Sequence, residues 1–326
     1  MKRFSSFIAK SRRGGKADEA VQKPSWNPFN DPPPEYSPTR TPSVPRTYSD
    51  VIRSAVAANN ANSADNSFLA LFDTLFLIDD SSSMSSKEFR HASGGMTRWQ
   101  RAMKVLNDFV AESIKYDEDG IDLYFLNMRN PHDRIGKPEA GFPGGGFREI
   151  RSAEIVDNIF ESIIPNGATP TARRLEYILD SYIGRYSELF KTTKNESCLR
   201  PLNIIVITDG HPYTGLSNPQ EEQQLVKDVL IKAAQTLDKL NAPSYQVGVQ
   251  FFQIGEDKSA SDFLEYLDNT LAEEARRKCG GGSLELRDMV DTTHFQPGKE
   301  LTQEAITKAL LGAIDKLVDR RPTKVQ

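Results

Sequence analysis

Five side chains of this 326-residue chain have the types and spacing to hold a hard cation. Asp79, Ser81 and Ser83 leave an apolar run in an Asp-x-Ser-x-Ser pattern, Thr169 stands in Ala168-Thr169-Pro170-Thr171, and Asp209 closes Val206-Ile207-Thr208-Asp209-Gly210. Together they offer carboxylates and hydroxyls and no sulfur or imidazole. An all-oxygen donor set suits Mg2+ or Mn2+ rather than zinc. Two carboxylates bring only two negative charges, so a cation held there keeps Lewis acidity for an oxygen ligand from outside. The neighbouring groups read differently. Asp80 is expected to be a structural or solvated carboxylate, and His211, directly after the Asp209-Gly210 turn, a surface or packing residue. His91, His132 and His294 share no metal spacing, and HExxH is absent.

These residues need a scaffold that brings distant segments to one place, and the apolar pattern supplies it. Residues 71–78 form a nearly continuous apolar run that ends in Asp79-Asp80-Ser81, as a strand covered on both faces would. Trp99, Ala102, Met103, Leu106, Phe109, Val110 and Ser113 then make a helical stripe, opened by Thr97 and Gln100 at capping-box spacing. Further strands are predicted over 121–126, 204–207, 246–254 and 289–295. Helices are predicted over 152–163, from Thr171 onward, and over 219–241, 259–278 and 301–319. The helix after Thr169 carries Ala172, Leu175, Ile178, Leu179, Tyr182 and Ile183 on one stripe, with Pro170 at its first position, where proline is favoured. Residues 129–148, with Gly144-Gly145-Gly146, read as irregular. Strand-helix alternation predicts an α/β fold: a doubly wound, mostly parallel sheet with helices on both faces. In such sheets ligands bind beyond the carboxyl ends of the strands, where the five side chains fall.

With Phe76-Leu77-Ile78-Asp79-Asp80-Ser81-Ser82-Ser83-Met84 before them, the three motifs resemble the metal-ion-dependent adhesion site of a von Willebrand factor A domain, in the family's order. The resemblance covers roughly residues 70–318. It implies that Ser81 and Ser83 ligate the metal directly, that Thr169 joins when the site is engaged, and that Asp79 and Asp209 hold coordinated waters and the serine hydroxyls. It also implies that a carboxylate from a protein partner fills the open position. Two departures stand out. Ser82 replaces the glycine usual between the two serines, which tightens the loop without removing a ligand. The 129–150 stretch is longer and richer in glycine than in compact members, so it is expected to cover the site or add a contact.

Enzyme readings fit less well. A haloacid-dehalogenase-type phosphotransferase needs Asp-x-Asp where this chain has Asp79-x-Ser81. There is no GxxxxGK[ST] phosphate loop and no GxSxG elbow. Gly280-Gly281-Gly282-Ser283 lies between a helix and a strand, the wrong order for a phosphate cradle. The expectation is a non-enzyme, the alternative a Mg2+-dependent phosphoester hydrolase or transferase using the same site.

Composition divides the chain. Residues 1–60 hold 10 Lys/Arg against 5 Asp/Glu, and the rest 31 against 40, for a net charge of −4. The acidic body argues against a nucleic-acid partner. Leucine is absent before Leu69, while residues 24–45 carry 8 of the 19 prolines. Such a segment cannot bury enough apolar surface to offset its ordering entropy, so 1–65 is expected to be a disordered, basic arm, 66–320 the domain and 321–326 a tail. Within the arm, Pro33-Pro34-Glu35-Tyr36 matches the PPxY ligand of WW domains, which the usual partners of that motif, ubiquitin ligases, would supply. Ser37-Pro38 and Thr41-Pro42 are minimal proline-directed phosphorylation sites. Cys198 and Cys279 lie 81 positions apart with no CxxC, which fits two reduced thiols in a cytoplasmic protein. Phe7-Ile8-Ala9 is too short for a signal-peptide core. The six Lys/Arg of the first 16 residues faintly resemble a transit peptide, but read better as a basic tail.

Overall fold

The computed structural model describes residues 66–87, 95–116, 119–278, 286–294 and 301–313. The PPxY run, the expected arm and tail, His91, Cys279 and the glycine run at 280–282 lie outside the described residues. Strands β1 (Asp73–Ile78), β2 (Ile121–Phe125), β3 (Phe147–Ile150), β4 (Leu202–Thr208), β5 (Val247–Gln253) and β6 (Val290–His294) form one sheet in the order β3-β2-β1-β4-β5-β6. All pairings are parallel except β2 with β3. Helices are α1 (Arg98–Ser113), α2 (Ala153–Ser162), α3 (Thr171–Thr193), α4 (Pro219–Lys239), α5 (Lys258–Asn269), α6 (Leu271–Lys278) and α7 (Gln303–Leu311).

The central strands are buried at nearly every residue and mostly apolar, because both faces are covered. Phe76 and Ile78 of β1 pack with Phe109, Phe160 and Leu310 from α1, α2 and α7. Leu75 and Leu77 point the other way, toward Leu175, Leu230 and Phe263 from α3, α4 and α5. Alternate side chains of one strand thus feed two cores, as a strand's period of two requires. The chain runs outward from β1 to β3, then returns to β4 on the other side of β1. The strand order therefore reverses between β1 and β4, the crevice where ligands collect in open α/β sheets.

Several boundaries differ from expectation for local reasons. Residues 66–71 form a 3-10 helix, so β1 begins at Asp73 rather than 71. The capping box is present, with Gln100 N–H donating to the Thr97 hydroxyl and Thr97 N–H to the Gln100 side chain. Pro170 is the residue before α3, not its first member. The helix expected over 259–278 breaks at Thr270 into α5 and α6. The 129–148 stretch contains a short 3-10 turn, and its end starts β3. Ile121 pairs with Ile150 and Leu123 with Phe147, so β3 carries one extra residue, a bulge at which Glu149 takes φ 55°. The glycines there allow close packing: a Cβ on Gly146 would sit 2.7 Å from the Tyr124 ring. The stretch is pinned along the β2 edge by Arg148, which pairs with Asp122 at 2.9 Å and Asp133 at 3.0 Å.

Candidate metal centre

The parallel register builds the site. Ile78 lies opposite Ile207, so the next residues, Asp79 and Thr208, leave the sheet side by side. Asp79 N–H donates to Ile207 O at 2.9 Å, and the Thr208 hydroxyl donates to Asp79 Oδ2 at 2.7 Å. Asp79 Oδ1 accepts the Ser81 N–H at 2.9 Å, which turns the chain sharply out of β1. Ser81 Oγ and Ser83 Oγ are 3.0 Å apart, and Ser83 Oγ donates to Asp209 Oδ1 at 3.0 Å. Asp79, Ser81, Ser83 and Asp209 therefore form one hydrogen-bonded chain across the β1 and β4 ends.

Thr169 is not a member of that chain; it is buried, and its backbone pairs in both directions with Tyr213. The turn before it is tied to the β1 loop through Ser82. Ser82 N–H donates to Gly167 O at 3.1 Å, and Ser82 Oγ accepts from Gly167 N–H at 3.0 Å. The serine in place of glycine thus adds a side-chain tie between the two loops. Asp80 is a structural carboxylate, as expected. It accepts from Asn127 and Met128 N–H at 2.8 Å each, while Asn127 Nδ2 donates to Ala168 O at 2.8 Å. It locks together the β1 end, the β2 end and the loop carrying Thr169.

His211 also has a packing role. Its Nδ1 faces Gln223 Nε2 at 3.0 Å and its Nε2 faces Ser259 Oγ at 2.9 Å, bridging α4 and the start of α5. His294, at the end of β6, contacts Gln253 and Glu265 instead.

Sequence reasoning missed Arg98. The first residue of α1, it extends Nη1 to Asp209 Oδ2 at 2.5 Å. The available signal was a cation at the positive end of a helix dipole, a placement that needs an anion nearby. Thr208 belonged to a recognised motif, but its bond to Asp79 depends on strand register and cannot be read from one strand.

The electrostatics favour a cation. Burial, then the nearby charge of Asp209, push the Asp79 carboxyl up to about 7. A positive ion between the carboxylates would oppose both effects. The spacing fits as well: with Mg–O distances of about 2.1 Å, adjacent octahedral ligands stand about 3.0 Å apart. That is the separation of Ser81 Oγ from Ser83 Oγ. Because the Ser83 proton points at Asp209, the Ser81 hydroxyl donates to Ser83, which leaves one Ser83 lone pair and the Ser81 lone pairs available to a cation. Among the described residues no group of three His, Cys, Asp or Glu gathers, so any metal here must rely on hydroxyls beside two carboxylates. No family model matches the chain, and no curated protein matches it.

Proposed function

We propose that this protein is a von Willebrand factor A-like interaction module that binds Mg2+ or Mn2+ through Asp79, Ser81, Ser83, Thr169 and Asp209 and captures a partner's carboxylate. The observation that carries this reading is the serine hydroxyl pair, 3.0 Å apart, held between two buried carboxylates at the sheet's switch point. Bound there, the cation supplies a coordination position for an acidic side chain from outside. The rim supports a protein partner. Ile164, Tyr213 and Leu216, on the segments that flank Thr169 and Asp209, are exposed apolar side chains. Apolar residues around a polar centre are the composition of a docking surface. The acceptor pattern favours binding over phosphoryl transfer. Asp79 is fully buried, and its two oxygens accept from the Ser81 N–H and the Thr208 hydroxyl, which fixes it as a support for a cation rather than as an exposed nucleophile. As a second contact, Pro33, Pro34 and Tyr36 recruit a WW-domain protein, consistent with an intracellular adaptor.

Calorimetric titration of Mg2+ and Mn2+ into the full chain tests the metal. At about 100 times its dissociation constant, Mg2+ should stabilise the wild type by roughly 2.7 kcal/mol. Asp209→Ala and the Ser81→Ala/Ser83→Ala pair should show no such gain while remaining folded. Absence of both heat and thermal shift in wild type at millimolar ion refutes the site. For the partner, affinity capture should recover proteins that EDTA releases.

A further inference from the structure

Apart from the five candidate metal ligands, a cavity of about 630 Å3 lies between the 129–143 segment and the first turns of α3. Arg129, Arg173 and Arg174 line it, with Tyr177 as an aromatic wall. Arg174 is the unusual member. It is 1% exposed, and among the described residues its buried Nε and Nη2 have no acceptor. Its guanidinium carbon sits 5.1 Å from the Tyr124 ring centroid and 5.3 Å from that of Tyr177. Neutral aromatic rings provide no counter-charge. A buried, unpaired guanidinium is costly, and a charged ligand in the cavity would offset that cost.

The surroundings add positive potential. Arg173 and Arg174 stand in the first turn of α3, a 23-residue helix with no acidic residue there to meet its dipole. Burial and then Arg129 hold the Arg174 guanidinium down to about 10. Two carboxylates, Glu176 and Asp180, also line the cavity, but each contacts Lys232 Nζ at 3.0 Å, and Asp80 close by is occupied by Asn127 and Met128. Arg129 anchors its Nη1 on the carbonyls of residues 125–128.

We propose that this cavity binds the phosphate group of a small phosphate monoester, with Arg174 and Arg173 as the anion contacts and Tyr177 against the organic part. A monoester carries about −1.5 to −2 charge and three acceptor oxygens, which match several guanidinium groups better than a single carboxylate does. The volume falls in the range of small-molecule clefts, roughly 300–1,000 Å3, and far exceeds one bare oxyanion.

Phenyl phosphate, inorganic phosphate and phenylacetate, titrated calorimetrically into the full chain, test this. Phenyl phosphate should bind, inorganic phosphate more weakly and phenylacetate weakest. Arg174→Met should weaken phenyl phosphate by about tenfold or more, the scale of one lost charge-assisted contact. The exposed Arg173→Gln, whose folding is not at stake, should weaken it several-fold. EDTA and Asp209→Ala should leave the affinity unchanged, which separates this cavity from the cation site. No binding by wild type at about 10 mM ligand, affinity unaltered in Arg173→Gln, or phenylacetate binding as tightly overturns the proposal. So does a phosphoserine peptide that binds about tenfold more tightly than phenyl phosphate, because the ligand would then be a protein side chain.

Discussion

Replacing Arg98 with Met isolates the charge that Asp209 depends on. The Arg98 side chain is 24% exposed and that of Asp209 4%, with Nη1 and Oδ2 at 2.5 Å. Breaking a fully buried ion pair by removing one partner costs about 3–5 kcal/mol, mostly because the other charge is left unpaired. Partial exposure of Arg98 lets water screen the pair, which lowers the expected cost to about 2–3 kcal/mol. Met preserves most of the apolar stem, so the loss reports charge rather than packing. Urea denaturation in EDTA should show that destabilisation, and a double-mutant cycle with Asp209→Asn should return most of it as coupling. Repeating the melts in saturating Mg2+ should narrow the gap between wild type and variant, since the ion replaces the missing positive charge beside Asp209. A loss below about 0.5 kcal/mol in EDTA would mean the pair is energetically idle. A gap that stays constant in Mg2+ would mean that Asp209 does not face the cation.

Other outcomes test the scaffold. Lys194 caps α3 at φ 55°, a left-handed conformation that glycine adopts without strain, so Lys194→Gly should raise stability by about 0.5–1 kcal/mol in urea titration. Phe125 is fully buried, with ring centroids of Trp99, Phe147 and Phe160 within 5.9 Å, and Phe125→Ala should cost about 3–5 kcal/mol in the same measurement. Burial holds the His294 imidazole below its ordinary 6.5, so the unfolded chain takes up the proton first as pH falls. Stability should therefore fall as pH drops through about 6.5, and His294→Gln should flatten part of that fall.

Much of this architecture was legible in the sequence wherever a single segment carries its own signal. The apolar run before Asp79 marks β1 because a doubly covered strand has no polar face. Thr97 and Gln100 announce the start of α1 because a capping box is local chemistry. β3 left no comparable mark: Phe147-Arg148-Glu149-Ile150 neither alternates nor runs apolar, since a bulge at Glu149 interrupts its period. Its pairing with β2 is a property of two segments together. The same limit applied to the candidate site. The five oxygen donors could be named from motif spacing, but Arg98 and Thr208 reach the carboxylates through helix placement and strand register. Neither of those is encoded within a motif.

The bulged β3 also bears on how the sheet ends. β2 is buried along its whole length and would otherwise end the sheet on that side with an open row of amides and carbonyls. β3 takes up that row, then offers in its place only four residues, bent at Glu149 and flanked by the Arg148–Asp122 and Lys137–Glu149 ion pairs. A short, kinked, charged margin is a poor template for another chain, which is how natural sheets avoid edge-to-edge aggregation. Excising residues 129–150 as a dispensable surface insertion would expose β2 as an unpaired edge and leave Asp122 without its Arg148 partner. Such a truncated chain should sediment as polymers, even with both helical layers and all five candidate metal ligands intact.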